Sequence, residues 1–523
     1  MVAVLKSFLA VGMAATVLGM QLPPQHARGG DLFADLAKQA FSLEAKPAAQ
    51  WFQQQLDHFT TKAPLHFQQR FYVDDRFWGN HDSNPIILYI GGEGAMNQMP
   101  TGFVDVLAKE HKAKVVALEH RYYGESVPKN DLSTENLRFL TVEQALADLN
   151  HFIDEYTKTL DTKGNPWIAV GGSYPGALSA WFRIAYPNAT VAAISSSGVV
   201  NPVYNFHGFD EQVAESAGPE CAAALRLVTT AYEAEIAAGR GDQVKALLGA
   251  QALDDRDFFY MLADSAAMAV QYGMKDRLCT PMTEAVRANA SLTHAFANFT
   301  KKQYGDAFGY GCFYDTGCLQ TNVERWPEGR SWRWQKCSQL AYFQVAPHKD
   351  SLRSAIVNLD YHERQCQAIF GNAVDPSAGV AANIQRYGGD QPHGHNVFYA
   401  NGGDDPWQRA SVTTTLSEDQ PFYLAKCDFC GHCGDLGDKP NDPAPLHYQK
   451  ELIRESISKW LAPSTANVQL RVVAGGAESV NRAAQTSFLV LVPILCLFVA
   501  FKAVMHVDLV RDMSEASVRT TLL

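Results

Sequence analysis

The sequence predicts an α/β fold in which a sheet of parallel strands, covered by helices, is interrupted by a large, mostly helical insertion. Short apolar runs alternate with helical patterns up to about residue 200, and similar apolar runs return near residue 397. The stretch between them is Ala-rich and helical at first and then aromatic, without that alternation. We therefore expect core segments over 45–200 and 390–462, and an insertion over 201–389.

Six short apolar runs predict the strands of this sheet. They have the continuous hydrophobic character of strands that are buried on both faces. Thr141 and Gln144 have the spacing of a capping box, and the helix after them carries an apolar face from Val142 to Tyr156. A closing helix is indicated by the apolar residues between 452 and 461. The predicted strands are 85–90, 115–118, 167–170, 191–194, 397–400 and 422–425.

The composition excludes several classes of protein. The 523 residues are 47% hydrophobic and include 28 Phe and 20 Tyr, which is unlike a disordered chain. The formal net charge is −11, and no block of Lys or Arg interrupts the sequence. We therefore expect no nucleic-acid partner. No motif requires a metal or another cofactor.

A Gly-rich turn after the third strand has the features of a nucleophile turn. Gly171, Gly172 and Ser173 directly follow the strand 167–170, and a helical run begins shortly after them. A serine at such a sharp strand-to-helix turn is how an α/β-hydrolase exposes its nucleophile. Pro175 stands where the usual pattern has glycine, but proline is tolerated in the first turn of a helix. The amide of Tyr174 is retained and can serve the oxyanion.

The expected partners follow in the order acid, then histidine. Asp404 and Asp405 lie just after the strand 397–400, and His432 comes after the next strand. Catalytic side chains of open α/β sheets lie at the carboxyl ends of strands. We therefore expect Ser173 to act as nucleophile, His432 as general base and acid, and one of the two aspartates as the group that orients His432.

Seven motifs in register make the chain resemble the serine exopeptidases comprising lysosomal Pro-Xaa carboxypeptidase, dipeptidyl peptidase II and thymus-specific serine protease. The resemblance extends from about residue 53 to about residue 461. The motifs are 55–59 with 67–72, 91–94, 119–126, 172–174, 332–337, 401–407 and 431–435. The resemblance implies an α/β-hydrolase core with a large, mostly helical cap insertion, and it places the family's aspartate on Asp405.

The resemblance also implies a function, namely cleavage next to proline near a peptide terminus. It implies that the backbone amides of Tyr174 and Gly94 bind the oxyanion. Trp334 is a candidate for the apolar pocket that receives the proline ring. Gln339 stands where many members carry Glu, and a neutral amide would recognise a substrate amine less well. The choice between dipeptidyl-peptidase and carboxypeptidase action therefore stays open. An esterase or lipase and a silent membrane-anchored binding protein are the alternatives.

The two ends of the chain predict export and membrane anchoring. Residues 1–19 resemble a secretory signal, although a buried helix is the alternative. Residues 483–502 are apolar over nearly the length of a bilayer-spanning helix, and 463–482 resemble a linker. The segment 503–523 would then be a cytoplasmic tail. We expect a type I single-pass protein whose catalytic part is lumenal (lysosome or vacuole) or extracellular. A homodimer is a further possibility.

Cysteines and glycosylation motifs agree with export. Asn188, Asn289 and Asn298 each begin an acceptor triplet. Ten cysteines are present, and Cys427, Cys430 and Cys433 form a string around His432 that could suggest zinc. No second pair at finger spacing accompanies this string, so we expect disulfides. Nine cysteines lie outside the predicted span, which leaves at least one unpaired or bonded to another chain, and this string is the first place to look.

Overall fold

The computed structural model describes residues 47–462, except for 162–163, 306–307, 309–311 and 325–328. The predicted signal peptide 1–19, linker 463–482, membrane span 483–502 and tail 503–523 lie outside the described residues. In the part that is described, no helix combines the length and the apolar character that crossing a membrane requires. Residues 47–461 belong to one compact unit.

The described residues contain an eight-stranded sheet in the order β1-β2-β4-β3-β5-β6-β7-β8. β1 and β2 form an antiparallel hairpin, and β2 is antiparallel to β4. The remaining neighbouring strands are parallel. The strands are β1 Gln50–Gln55, β2 His66–Asp74, β3 Ile86–Ile90, β4 Lys114–Leu118, β5 Trp167–Gly172, β6 Ala192–Ser196, β7 Val397–Gly402 and β8 Phe422–Ala425.

Helices occupy the connections from β3 to β6 and most of the long segment between β6 and β7, and a further helix follows β8. A π-helical turn, Lys336–Leu340, follows one of them directly. The described helices are α1 Phe103–His111, α2 Thr134–Leu137, α3 Val142–Thr157, α4 Tyr174–Ala185, α5 His207–Ala217, α6 Pro219–Ala237, α7 Gly241–Ala246, α8 Asp255–Gln271, α9 Lys275–Arg287, α10 Leu292–Tyr304, α11 Thr316–Thr321, α12 Gly329–Gln335, α13 Leu359–Phe370, α14 Pro376–Tyr387 and α15 Ala444–Leu461.

The central strands are buried on both faces, which explains their continuous apolar sequences. Ile86, Leu88 and Ile90 of β3 pack in the core cluster that includes α3 and α4. Ile87 points to the opposite face and belongs to the cluster that includes α1 and α15. This alternation follows from the two-residue period of a strand. The predicted α/β core with a mostly helical cap insertion is confirmed.

The predicted capping box at the start of α3 forms only in part. Thr141 accepts a hydrogen bond from the backbone N–H of Gln144 at 3.2 Å, as an N-cap residue does. The Gln144 side chain does not return to the cap. It accepts from the backbone N–H of His58 and donates to Asp57 instead. Gln144 therefore ties α3 to the segment after β1.

Disulfides stabilise the insertion and the His432 loop. Within the described ranges the pairs are Cys221–Cys279, Cys312–Cys318, Cys337–Cys366 and Cys427–Cys430. Cys433 is a free thiol and is buried. Within the described residues, the cysteine without a disulfide partner in the chain thus lies in the string around His432, the first place that the sequence indicated. No group of three or more His, Cys, Asp or Glu side chains suited to a metal occurs in the described segments.

A buried ion pair joins the first hairpin to the core. Arg121 is completely buried, and its Nε and Nη2 atoms each donate to the Asp148 carboxylate at 2.6 Å. Arg121 also donates to the carbonyls of Gln55, Leu56 and Phe139. Burial alone would raise the pKa of Asp148, but the Arg121 guanidinium outweighs it and lowers that pKa. The carboxylate is therefore charged and depends on Arg121.

We expect Arg121→Met to lower the free energy of unfolding by about 3–5 kcal/mol, because it leaves the Asp148 charge buried without its guanidinium. Urea unfolding followed by circular dichroism measures this loss. The matched control is Arg138→Met, because Arg138 forms an exposed ion pair with Glu135. Its removal should cost no more than about 1 kcal/mol. A loss for Arg121→Met that equals the control would contradict the prediction.

Candidate active site

Ser173 lies on a strained turn between β5 and α4. Its backbone has φ 65° and ψ −129°, in a region that residues other than glycine rarely adopt. A side chain at Gly171 would place its Cβ 2.1 Å from the Pro175 carbonyl oxygen. One at Gly176 would place it 2.7 Å from the Ser196 carbonyl oxygen. The turn therefore needs glycine on both sides of Ser173.

Pro175 fits this turn because α4 begins at Tyr174 and Pro175 is the second helical residue. The missing N–H of proline would have no partner inside the helix at that position. Its ring lies close to Gly92, where a Cβ would come within 2.7 Å of Pro175 Cγ. The N–H of Tyr174 is in the first turn and has no intrahelical acceptor, so it is available to a ligand.

Asp405 and His432 meet at the carboxyl ends of β7 and β8. His432 Nδ1 and Asp405 Oδ2 are 2.8 Å apart, and both residues are buried. The second oxygen, Asp405 Oδ1, accepts from the Trp407 backbone N–H at 2.9 Å. These two contacts fix the carboxylate, so that His432 carries its proton on Nδ1 and leaves Nε2 as a base.

Asp404 has a different role from its neighbour. Its carboxylate pairs with Lys275 at 3.0 Å and accepts from the Phe429 backbone N–H at 2.8 Å. It therefore holds the loop before His432 and is engaged away from the imidazole. Of the two candidates that the sequence offers, Asp405 is the one that contacts His432.

The electrostatics of the site favour the protonated form of the His432 imidazole over the neutral form. Burial alone would lower the pKa of His432, but Asp405 and, to a lesser extent, the neighbouring Cys433 outweigh it and raise the pKa well above its usual value. Asp435, which accepts from Ser196 Oγ at 2.5 Å, has its pKa raised to about 6 by burial. The two carboxylates have different contacts. Asp405 contacts the His432 imidazole, whereas Asp435 accepts the hydrogen bond of Ser196 at the end of β6.

The helical insertion positions His432. The His432 backbone N–H donates to the carbonyl of Gln271 at 2.7 Å, and Gln271 Oε1 accepts from Trp407 Nε1 at 2.9 Å. The Tyr272 ring lies 6.2 Å from the imidazole, measured between centroids. Sequence reasoning missed Gln271 and Tyr272, because an Ala-rich helix end carries no catalytic motif.

Cys433 connects the His432 loop to the serine turn. Its backbone N–H donates to Ser197 Oγ at 2.8 Å. A Cβ added at Gly172 would lie 2.8 Å from Cys433 Sγ. Because Gly172 precedes Ser173 and Cys433 follows His432, this packing brings the two loops side by side.

A hydrogen-bonded network supports Tyr174 from below the turn. His120 Nδ1 donates to the Arg121 carbonyl at 2.8 Å, so its Nε2 accepts from the Tyr174 hydroxyl at 3.1 Å. That hydroxyl accepts from Gln335 Nε2 at 2.7 Å, and Tyr123 donates to Gln335 Oε1. Burial lowers the pKa of His120 to about 4, which keeps it neutral. His120 is therefore a buried packing element.

A cavity of about 990 Å³, including space open to solvent, extends from Ser173 toward the insertion. Gly94 and Tyr174, the two predicted oxyanion residues, both line it. A Cβ built at Gly94 would meet no atom within 4 Å, which agrees with a position on open space. Eight further lining residues are aromatic, namely Phe209, Tyr260, Tyr272, Phe313, Tyr314, Trp332, Tyr342 and Trp407.

The two predicted pocket residues lie elsewhere. Trp334 donates its indole N–H to the Leu140 carbonyl at 3.0 Å and packs against Phe370. Gln339 accepts from the Val142 backbone N–H at 2.8 Å and donates to Glu143 at 2.8 Å. Neither side chain is among those that line the cavity. Trp332, two residues before Trp334 on α12, lines it instead, because successive positions of a helix face different directions.

The sequence is similar to several known proteins. Residues 54–453 match the family described as serine carboxypeptidase S28. A probable serine protease EDA2 of Arabidopsis thaliana is 39% identical over 404 residues, covering 75% of this chain and 82% of that protein. The human thymus-specific serine protease is 28% identical, with coverages of 80% and 87%.

Two further matches are more distant. A probable extracellular serine carboxypeptidase of Arthroderma benhamiae is 27% identical, covering 78% of this chain and 67% of that protein. The crystal structure of a proline iminopeptidase from Mycobacterium smegmatis aligns with 79% of this chain and 99% of that one, at 13% identity and a TM-score of 0.31. The family match spans well over half of the sequence, and this chain therefore belongs to the serine carboxypeptidase S28 family.

Proposed function

We propose that this serine peptidase is an exopeptidase that cleaves bonds next to proline near a peptide terminus, with Ser173, His432 and Asp405 as its catalytic residues. The observation that carries the proposal is the 2.8 Å contact between His432 and Asp405 beside the strained turn of Ser173. The three residues follow the carboxyl ends of β5, β8 and β7, where an α/β-hydrolase holds its triad.

The proposed reaction runs through an acyl-enzyme. Ser173 Oγ attacks the scissile carbonyl while His432 Nε2 takes its proton, and His432 then gives that proton to the departing amine. A water molecule, deprotonated by His432, cleaves the ester and releases the acid. Asp405 holds the tautomer and stabilises the imidazolium. The amides of Tyr174 and Gly94 would stabilise the oxyanion.

The cavity supports an exopeptidase with a preference for proline. Side chains of the insertion, among them Tyr260 and Trp332, share its wall with Ser173, and a site bordered in this way suits a peptide end better than a folded chain. Trp332, Tyr342 and Trp407 supply flat apolar faces near the nucleophile, to which a rigid pyrrolidine ring can pack. We assign the proline pocket to these rings in place of Trp334.

We further propose that the enzyme acts in the secretory pathway or outside the cell, anchored by residues 483–502 as a type I protein. Disulfides are typical of an oxidising compartment, and the fungal relative is named as extracellular. Asn188, Asn289 and Asn298 are exposed, as glycan acceptors must be. Asn298 lies within α10. A glycan would therefore be attached to it before this helix forms, or after the helix opens locally.

The proposed nucleophile and substrate can be tested together. The purified protein should shorten proline-containing peptides, and mass spectrometry should show loss of residues from one end only. Ser173→Ala should reduce this turnover by at least about 10³-fold, because it removes the nucleophile. Ser83→Ala, which changes an exposed serine in the loop before β3, is the control and should keep the activity. Turnover of short acyl esters without any peptide would favour the esterase alternative.

A labelling experiment separates the silent-protein alternative. A fluorophosphonate probe should modify Ser173 in the folded protein and should not modify Ser173→Ala. Failure to label a protein that unfolds cooperatively would show that the turn holds no activated serine, and the catalytic proposal would be rejected.

The proposed role of His432 predicts how kcat/KM depends on pH. Since only neutral His432 can accept a proton, kcat/KM should fall as the pH drops through the raised pKa of His432. Asp405→Asn should move this acid limb to lower pH, because the charge that raises the pKa is gone. It should also reduce kcat by about 10⁴-fold at neutral pH, as in related triads. Asp404→Asn is the matched control, and an identical profile for both variants would contradict the assignment.

A further inference from the structure

The cavity borders a buried cluster of charges that the proposed triad does not use. Lys336 and Asp264 line the cavity at the insertion side. Arg333, Arg353 and Asp210 pack with them, and all five are buried. Burying a charge costs free energy unless the charge is paired. A cluster of five buried charged residues therefore suggests a role in binding.

Lys336 has hydrogen-bonding capacity to spare. Its ammonium donates to the Tyr260 hydroxyl and to Gln344 Oε1, both at 3.2 Å. An ammonium group carries three N–H donors, so these contacts leave one for another acceptor. Lys336 is also the first residue of the π-helical turn, a distortion that is frequent at functional sites.

The cations of this cluster outnumber its carboxylates. Arg353 pairs with both oxygens of Asp210, at 2.8 and 3.0 Å, and its Nη2 lies 3.5 Å from Asp264 Oδ1. Arg333 adds a guanidinium whose buried Nη1 has no hydrogen-bond partner in the described part of the chain. The charged groups of Arg333, Lys336 and Arg353 all lie within 5.6 Å of the Tyr260 ring centroid. With Lys336 protonated, three positive charges face two negative ones.

We propose that Lys336 binds the terminal α-carboxylate of the peptide substrate, so that this enzyme trims the carboxyl end. The inference rests on the proposed function, because it places the substrate terminus in the cavity that Ser173 opens on. A carboxylate would accept the remaining N–H of Lys336 and balance the excess positive charge. A substrate ammonium at Asp264 would instead face three cations, which disfavours amino-terminal recognition.

In its buried environment Lys336 would need an anionic ligand to keep its positive charge. Burial and the guanidinium groups of Arg333 and Arg353 lower the pKa of Lys336 well below its usual value. A bound carboxylate acts in the opposite direction and favours the charged form. The other acid that lines the cavity, Glu93, adjoins Gly94 in sequence, near the oxyanion side.

The test compares peptides that differ only at the carboxyl end. An acetylated proline-containing peptide is offered to the wild-type protein as the free acid and as the amide. We expect kcat/KM for the acid to exceed that for the amide by at least about tenfold, because a charge-assisted hydrogen bond is lost with the amide. Equal rates for the two peptides, or trimming that requires a free amino terminus, would overturn the proposal and would point to Asp264 or Glu93.

A pair of lysine variants then tests whether Lys336 causes the discrimination between the acid and the amide. Lys336→Met should raise KM for the acid about tenfold or more while leaving the amide nearly unchanged, so that the discrimination disappears. Lys245→Met is the matched control, because Lys245 is a second buried lysine of the insertion that bonds to Leu253 and Asp255 outside the cavity. It should keep the discrimination. Unchanged discrimination in Lys336→Met would overturn the proposal.

Fluorophosphonate labelling of Ser173 distinguishes a failure of the Lys336 proposal from a failure of the proposed exopeptidase function. If Lys336→Met labels like the wild-type protein, its catalytic turn is assembled, and its peptide kinetics report on recognition alone. If the wild-type protein labels but shortens no peptide, the exopeptidase function itself fails, whatever Lys336 does. Should Lys336→Met not fold, equal rates for the acid and the amide on the wild-type protein would still overturn the proposal, and Lys336→Gln would replace it as the variant that assigns the effect.

Discussion

The strained backbone at Ser173 is the constraint on which the rest of the site depends. Its φ of 65° is held only because Gly171 and Gly176 allow the turn to close against the end of β6. Backbone strain of about 1–3 kcal/mol persists only where the surrounding structure enforces it. Here the sheet order enforces it, since β5 pairs with β3 on one side and with β6 on the other.

The helical insertion does more than restrict access to the serine. Through Gln271 it holds both the backbone of His432 and the indole of Trp407, and Trp407 in turn donates to Asp405. The same insertion supplies Lys336 and Asp264 to the far end of the cavity. One element thus aligns the base and provides the charges that a peptide end would meet, so changes in its packing should affect both recognition and catalysis.

The residues explain which features could be predicted from the sequence. The buried strands have continuous apolar runs, and Ser173, Asp405 and His432 each follow such a run, so their positions on the sheet were predictable. Gln271 and Lys336 act through contacts between distant segments, and no local pattern marks them. Trp334 was chosen as an aromatic residue of α12, but the sequence could not show that Trp332 is the one that faces the cavity. For the same reason, Gln339 proved to contact the start of α3 and not the cavity.

The most direct test of the account is to trap the reaction on the serine. A peptide diphenyl phosphonate with proline next to the phosphorus reacts readily with a serine that a neighbouring base activates. Intact-mass analysis of the treated protein, followed by peptide mapping, locates the adduct. The account predicts one adduct, on Ser173, which His432→Gln slows by orders of magnitude. An adduct on another residue, or labelling of Ser173 at the same rate without His432, would contradict it.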